Sequence, residues 1–234
     1  LGESSGAGGV GSRGDARTTA VIFDLDGVLV DSERLRFEVY RDLLARWGVD
    51  LTLETYAREW VAAGRGPEYA VETFGLPLTP SELRALRAPR VQAALAASLR
   101  PMPGARAALE RLRGRHRLGL ATNSVAAEVA LALACLGSEA SFDAVVSRED
   151  YARRKPAPDG FLEAARRLGV PPERCLVVED ADRGLQAARA ACMTCVVLRH
   201  ELNTASDFEG ARRVLESLDE LSHELVEALL TETR

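Results

Sequence analysis

Five short apolar runs alternating with amphipathic helical patterns constrain this chain more than any other feature. They are Ala20 to Phe23, Leu118 to Thr122, Ala144 to Ser147, Cys175 to Glu179 and Thr194 to Leu198. Helical patterns lie among them at 105–113, 124–136, 158–168 and 183–191. Runs this short and apolar suit strands buried on both faces, and their alternation with helices implies βαβ units. The expected fold is α/β, a parallel Rossmann-like sheet flanked by helices. Such sheets bind ligands outside the carboxyl ends of their strands. Asp24, Thr122 and Glu179-Asp180 each stand at or just past such an end, so residues distant in sequence are expected to meet on one rim.

Between residues 33 and 100 the alternation stops. Helical patterns such as SERLRFEVYRDLLARWG and PSELRALRAPRVQAALAASL fill the stretch. Leu35, Val39, Leu43 and Leu44 recur at helical spacing, and Gly48 is placed to end that helix. The segment reads as a small helical cap domain inserted after the first strand, with Pro101 and Pro103 stiffening the return. The α/β core then comprises 19–32 and 101–234, with SLDELSHELVEALL as a final surface helix. Residues 1–18, rich in Gly and Ser, read as a flexible tail.

A net charge of −5 and Lys and Arg spread along the chain point to no nucleic-acid or membrane surface. No run of 18 apolar residues suggests a membrane span. The tail lacks the apolar centre of a secretory signal, and Glu3 and Asp15 fit poorly with an acid-poor transit segment. A cytoplasmic location is expected, with an organelle as the alternative if the tail is a transit remnant. Cys192 and Cys195 have C-x-x-C spacing but no accompanying pair, so Cys135, Cys175, Cys192 and Cys195 read as small buried hydrophobes. His116, His200 and His223 read as isolated and peripheral.

Candidate chemistry begins in VIFDLDGVLVD, where Asp24 and Asp26 crowd the end of a strand before Gly27. Paired carboxylates there require a cation, or a reaction that uses them. Asp24 could serve as a nucleophile, and Asp26 could protonate a leaving alkoxide and then activate water. Glu179-Asp180 ends another strand and suits a hard cation, Mg²⁺ being the natural candidate; the structural alternative is a helix N-cap for Ala181 onward. Thr122 and Asn123 offer a hydroxyl and backbone N–H groups where a strand turns into a helix, though Asn123 or Ser124 could simply cap that helix. Lys155, stiffened by Pro156 and Pro158, could neutralise a phosphoryl group.

In order along the chain, DLDGVLVDSE, ATNS, KPAPDGF and VVEDADRG resemble the four motifs of the haloacid dehalogenase superfamily, in its phosphatase and β-phosphoglucomutase-like branch with a helical cap. The resemblance covers about residues 19–200. It implies Asp24 as phosphoryl acceptor, Asp26 as general acid and base, Thr122 and Asn123 as phosphate donors, and Lys155 as charge partner. It further implies Mg²⁺ held by the Asp24 carboxylate, the Asp26 backbone carbonyl and Asp180, with Glu179 as a direct or water-mediated ligand. The cap stretch AAGRGPEY resembles the substrate-reading loop, which makes Arg65 a candidate contact to a sugar hydroxyl or a second phosphate. Arg36 departs from the pattern, standing where related mutases carry a His, and Arg154 and Ala181 replace a common Gly and Ser.

The resulting expectation is a Mg²⁺-dependent phosphatase that hydrolyses a small phosphorylated metabolite, such as a sugar phosphate, through an aspartyl-phosphate. The alternatives are a sugar phosphomutase, which would exchange isomers without releasing phosphate, and a non-catalytic binding protein that keeps the fold. Nothing in the sequence demands more than a monomer.

Overall fold

The structure, a computed structural model, describes residues 18–137 and 141–231; the tail expected over 1–18 lies outside these except for Thr18. Strands β1 (Ala20–Phe23), β2 (Arg117–Ala121), β3 (Ala144–Val146), β4 (Cys175–Glu179), β5 (Thr194–Leu198) and β6 (Arg213–Leu215) form one sheet. Their order is β3-β2-β1-β4-β5-β6, and every neighbouring pair is parallel. Alternate side chains of β1 enter opposite cores. Val21 and Phe23 pack with Leu120, Val178 and Val196, while Ala20 and Ile22 pack with Phe161, Leu168 and Val177. Burial on both faces is what a continuous apolar run buys in a parallel sheet. The order reverses between β1 and β4, which opens a crevice at their carboxyl ends.

After β1 the chain enters α1 (Glu33–Leu44), whose 3₁₀ extension ends at Gly48 with φ 73°, as the sequence suggested. The chain continues through α2 (Leu53–Tyr56), a π-helical turn at Ala57–Ala62, α3 (Pro67–Phe74) and α4 (Pro80–Ser98). A Thr79/Glu82 capping box and Pro80 in the first turn start α4. These helices share an apolar cluster of their own around Tyr40, Tyr56, Trp60 and Leu83, in which the Tyr56 and Trp60 rings stack at 5.6 Å. The buried face of α1 differs from expectation. It is Phe37, Tyr40, Leu43 and Leu44, with Leu35 and Val39 only half-buried. The large rings drive the helix's rotation, because they have most apolar area to hide. The outgoing and returning segments run side by side: Asp31 N–H donates to Arg100 O at 2.9 Å and Met102 N–H to Leu29 O at 2.9 Å.

The return leads to α5 (Ala105–Leu112), α6 (Ala126–Leu136), α7 (Asp159–Leu168), α8 (Asp182–Ala190) and α9 (His223–Thr231). α6 starts two residues later than its pattern suggested. Two features escaped the sequence pattern. β6 is a three-residue edge strand opened by an exposed Arg213, too short to show a period. The expected final helix forms only over His223–Thr231, with a 3₁₀ turn at Leu218–Glu220 before it, and it is tied to the core: Val226 and Leu229 on the helix, and Leu218 and Leu221 ahead of it, enter the same cluster as Phe23. Cys192 is exposed, contrary to the expectation for all four cysteines, because it occupies a turn with φ 60° between α8 and β5.

Candidate active site

Asp24 follows β1 directly, and its N–H still donates to Val178 O of β4 at 2.9 Å. This last rung of the ladder sets its side chain beside those that end β4. Carboxylate oxygens of Asp24, Glu179 and Asp180 lie within 4.8 Å of one another, all buried. Lys155 arrives from the loop before α7. Its ammonium donates to Asp24, to Glu179 Oε1 at 2.6 Å and to Ala121 O at 3.0 Å. Four side chains from three separated segments thus meet at the crevice where the strand order reverses.

Three carboxylates against one ammonium leave the cluster short of positive charge. Burial, and then the neighbouring Glu179, Asp26 and Asp180, push the Asp24 carboxyl well above its usual range despite the opposing pull of Lys155. Burial likewise pushes Asp180 up to about 6, against the help of His200. Lys155 moves the other way: burial would neutralise it, but Asp24 and Glu179 outweigh that and hold it charged.

The surroundings are shaped to this cluster. Gly27, with φ +75°, has no side chain because a Cβ would run into the Asp180 carboxylate, and a Cβ on Gly184 would land on that of Glu179. Glu179 Oε2 accepts the N–H groups of Asp180 (3.0 Å) and Ala181 (3.2 Å), so with Lys155 on the other oxygen it is fully engaged. No side chain caps α8, whose N-cap is Ala181; the capping alternative for Glu179-Asp180 does not hold. The capping alternative for Asn123 and Ser124 fails too, because Val125 is the N-cap of α6.

His200 is not peripheral. Leu202 N–H donates to its Nδ1 at 3.2 Å, which leaves the proton on Nε2 to meet Asp180 Oδ2 at 3.0 Å. Asn203, buried, donates to Asp180 O at 2.9 Å and Leu198 O at 2.8 Å. Both residues follow the carboxyl end of β5, so the rule that singled out Asp24 could have found them. His116 and His223 are not isolated either: their rings lie 5.2 Å apart, and His116 Nδ1 bonds Thr19 Oγ1 at 2.7 Å.

Asp26 turns away from the acidic cluster. Ser32 and Ser124 hydroxyls donate to it, and Arg36 Nη2 donates to Oδ1 at 3.1 Å. Burial would raise its carboxyl, but Arg36 and the two hydroxyls together hold it below the usual range. Thr122, buried, accepts Ser124 N–H on Oγ1 at 3.0 Å and keeps its own proton to donate. Asn123 Oδ1 accepts from Tyr151 Oη at 2.8 Å and Lys155 N–H at 3.3 Å, so its side chain fixes the lysine loop. Arg65 is not brought to the acidic cluster. Its Nε pairs with Glu59 at 3.0 Å and its guanidinium lies 4.7 Å from the Tyr69 ring centre, while neighbouring Gly64 rests against the Arg183 side chain of α8.

The description "haloacid dehalogenase-like hydrolase" belongs to the family model that matches residues 18–191. The chain belongs to this family. Its relatives include the fructose-1-phosphate phosphatase YqaB of Escherichia coli, 35% identical over 184 residues, covering 78% of this chain and 97% of that protein. A phosphorylated carbohydrates phosphatase of Thermotoga maritima is 32% identical, covering 74% and 81%. Among solved structures, a CbbY mutant from Rhodobacter sphaeroides in complex with xylulose-(1,5)bisphosphate superposes with a TM-score of 0.72 at 30% identity, covering 87% of this chain and 96% of that one. The chain is accordingly a phosphoric monoester hydrolase of the haloacid dehalogenase-like family.

In this hydrolase the donor set fits a hard divalent cation. The carboxylates of Asp24 and Asp180 are buried, close together and incompletely neutralised, which oxygen-seeking Mg²⁺ would remedy. Glu179 is less suited to direct ligation, since protein donors occupy both of its oxygens. Among the described residues no helix is long and apolar enough to cross a membrane.

Proposed function

We propose that this hydrolase dephosphorylates a small sugar phosphate with Mg²⁺, through an aspartyl-phosphate formed on Asp24. The observation that carries the reading is the buried meeting of Asp24, Lys155, Glu179 and Asp180 at the strand-order reversal. The names of the relatives, which act on fructose 1-phosphate and phosphorylated carbohydrates, favour a sugar as the alcohol part. Asp24, Asp180 and the backbone carbonyl of Asp26 would hold Mg²⁺, which would shield Asp24 from an anionic substrate and draw charge from the phosphoryl oxygens.

The chain's own groups do the rest. Lys155 offsets charge on the phosphoryl group, and the Thr122 hydroxyl and the backbone N–H of Asn123 donate to its oxygens. One Asp24 oxygen bonds to phosphorus as the ester P–O bond breaks, and the departing alkoxide takes a proton from the protonated minor form of Asp26, whose partners favour the carboxylate. Water then attacks phosphorus, its proton passes to Asp26, and the bond to Asp24 breaks to release inorganic phosphate. Glu179 keeps Lys155 in place. The helices over 33–100 act as a cap, and the Gly64–Gly66 loop with Arg65 faces the alcohol part of the substrate.

A panel of sugar phosphates scored for inorganic phosphate, with and without Mg²⁺, tests this. Turnover is expected only with the metal and is lost in Asp24→Asn. Equal turnover by Asp24→Asn and the parent would remove the reading. Isomer exchange without phosphate release would replace it with the mutase.

A further inference from the structure

Arg36 lies near the start of α1, in the inserted helices, yet one terminal nitrogen of its guanidinium meets three residues of the core. Nη2 donates to Asp26 Oδ1 at 3.1 Å, to Ser124 Oγ at 3.2 Å and to Glu128 Oε2 at 2.7 Å. Its side chain is only 12% exposed. Behind it, Glu33 stands 3.8 Å from Arg36 Nε and accepts the Tyr56 hydroxyl at 2.7 Å, so the arginine is anchored on the aromatic cluster of the inserted helices. Ser32, the last residue before α1, occupies the same Asp26 oxygen as Arg36, and Ser124 occupies the other.

A carboxylate gripped on both oxygens by three donors, two from the start of α1 and one from the turn after β2, has one orientation available to it. Removing a hydroxyl would loosen one contact, but removing Arg36 would break the junction between the inserted helices, Asp26 and α6 at once. A buried guanidinium with several fixed acceptors is suited to such a task, because its planar fork loses little freedom on binding.

We propose that Arg36 is a positioning residue that holds Asp26 as the base for hydrolysis of the aspartyl-phosphate, with Glu128 as its anchor on the core. The proposal rests on the phosphoenzyme reading above. In the step concerned, water oxygen bonds to phosphorus, the bond from phosphorus to Asp24 breaks, and the water proton goes to Asp26. An Asp26 free to rotate would meet the attacking water in the right alignment only part of the time. Formation of the phosphoenzyme from an aryl phosphate, whose leaving group needs no proton, would be affected far less.

The experiment is stopped-flow release of the aryl alcohol from an aryl phosphate with Mg²⁺, alongside steady-state kinetics, for Arg36→Ala, Arg36→Lys and Glu128→Gln. In Arg36→Ala, kcat is expected to fall roughly 10–100-fold, within the range by which a positioned base contributes. KM is expected to fall with it, so that kcat/KM stays within about threefold, and a burst of alcohol approaching one per site is expected to appear. Arg36→Lys and Glu128→Gln should shift kcat the same way but less, and added guanidinium ion should restore turnover in Arg36→Ala but not in Asp26→Ala. A fall in kcat matched by an equal fall in kcat/KM, with no burst, would show a merely structural role and overturn the proposal. So would unchanged kcat in Glu128→Gln together with Arg36→Lys, variants that serve if Arg36→Ala does not fold. Loss of the phosphoenzyme reading would show separately, as undiminished turnover in Asp24→Asn.

Discussion

Replacing Lys155 by Met keeps most of the side-chain volume but removes the ammonium, which also lies 4.5 Å from the centre of the Phe161 ring. The lost contacts are those to Asp24, Glu179 and Ala121 O, all buried. Two carboxylates are then left against Asp180 with no ammonium between them. Breaking a buried ion pair by deleting one partner costs about 3–5 kcal/mol. For a chain of this size that corresponds to a fall in Tm of roughly 6–20 °C. Thermal unfolding in EDTA at about pH 7.5 reads this directly. The deficit should shrink as pH falls, because the Asp24 carboxyl is raised in the folded state and takes up its proton before the unfolded chain does, removing the charge that Lys155 had balanced. Excess Mg²⁺ should shrink it as well. A loss below about 1 kcal/mol in EDTA at about pH 7.5 would refute the claim that Lys155 neutralises this cluster.

Mg²⁺ itself should stabilise the parent by about 2.7 kcal/mol at a hundred times its dissociation constant, seen as a rise in Tm. Asp180→Asn should lose most of that rise; an equal rise in the variant would place the ion elsewhere. Burial lowers the His116 imidazole below its ordinary value, so the unfolded chain protonates first and stability drains away as pH falls below about 6.5. His116→Gln, which cannot titrate, should therefore lie closer to the parent in Tm at about pH 5.5 than at about pH 7.5. A constant gap across that window would count against a buried neutral imidazole.

The central strands and the meeting of Asp24 with Glu179-Asp180 were legible because both follow from local rules. An apolar run announces a strand buried on both faces, and parallel strands put their carboxyl ends on one edge. Cys175–Glu179 and Thr194–Leu198 match their runs residue for residue. What stayed hidden depended on side chains crossing between elements. Arg36 reads as one more charge on an amphipathic helix, and only folding shows that it faces Asp26 and Glu128. Nothing local says that the Asn123 side chain, as distinct from its backbone N–H, is spent on Tyr151 and the Lys155 backbone. The buried face of α1 departs from its leucine spacing because Phe37 and Tyr40 outcompete Leu35 and Val39 for the interior. β6 offers three residues, one of them a solvent-facing arginine, which is too little for any period to register.

Asp24 as the phosphoryl acceptor can be tested by trapping the covalent species. Protein mixed with a phosphorylated sugar and Mg²⁺, quenched in acid within a single turnover and treated with borohydride, would have any acyl phosphate reduced to an alcohol. The expected product is homoserine at position 24, identified by mass spectrometry of the peptide that spans Ala20–Asp31. An unmodified aspartate at 24 under conditions where phosphate is being released, or reduction at Asp26 or Asp180 instead, would contradict the assignment.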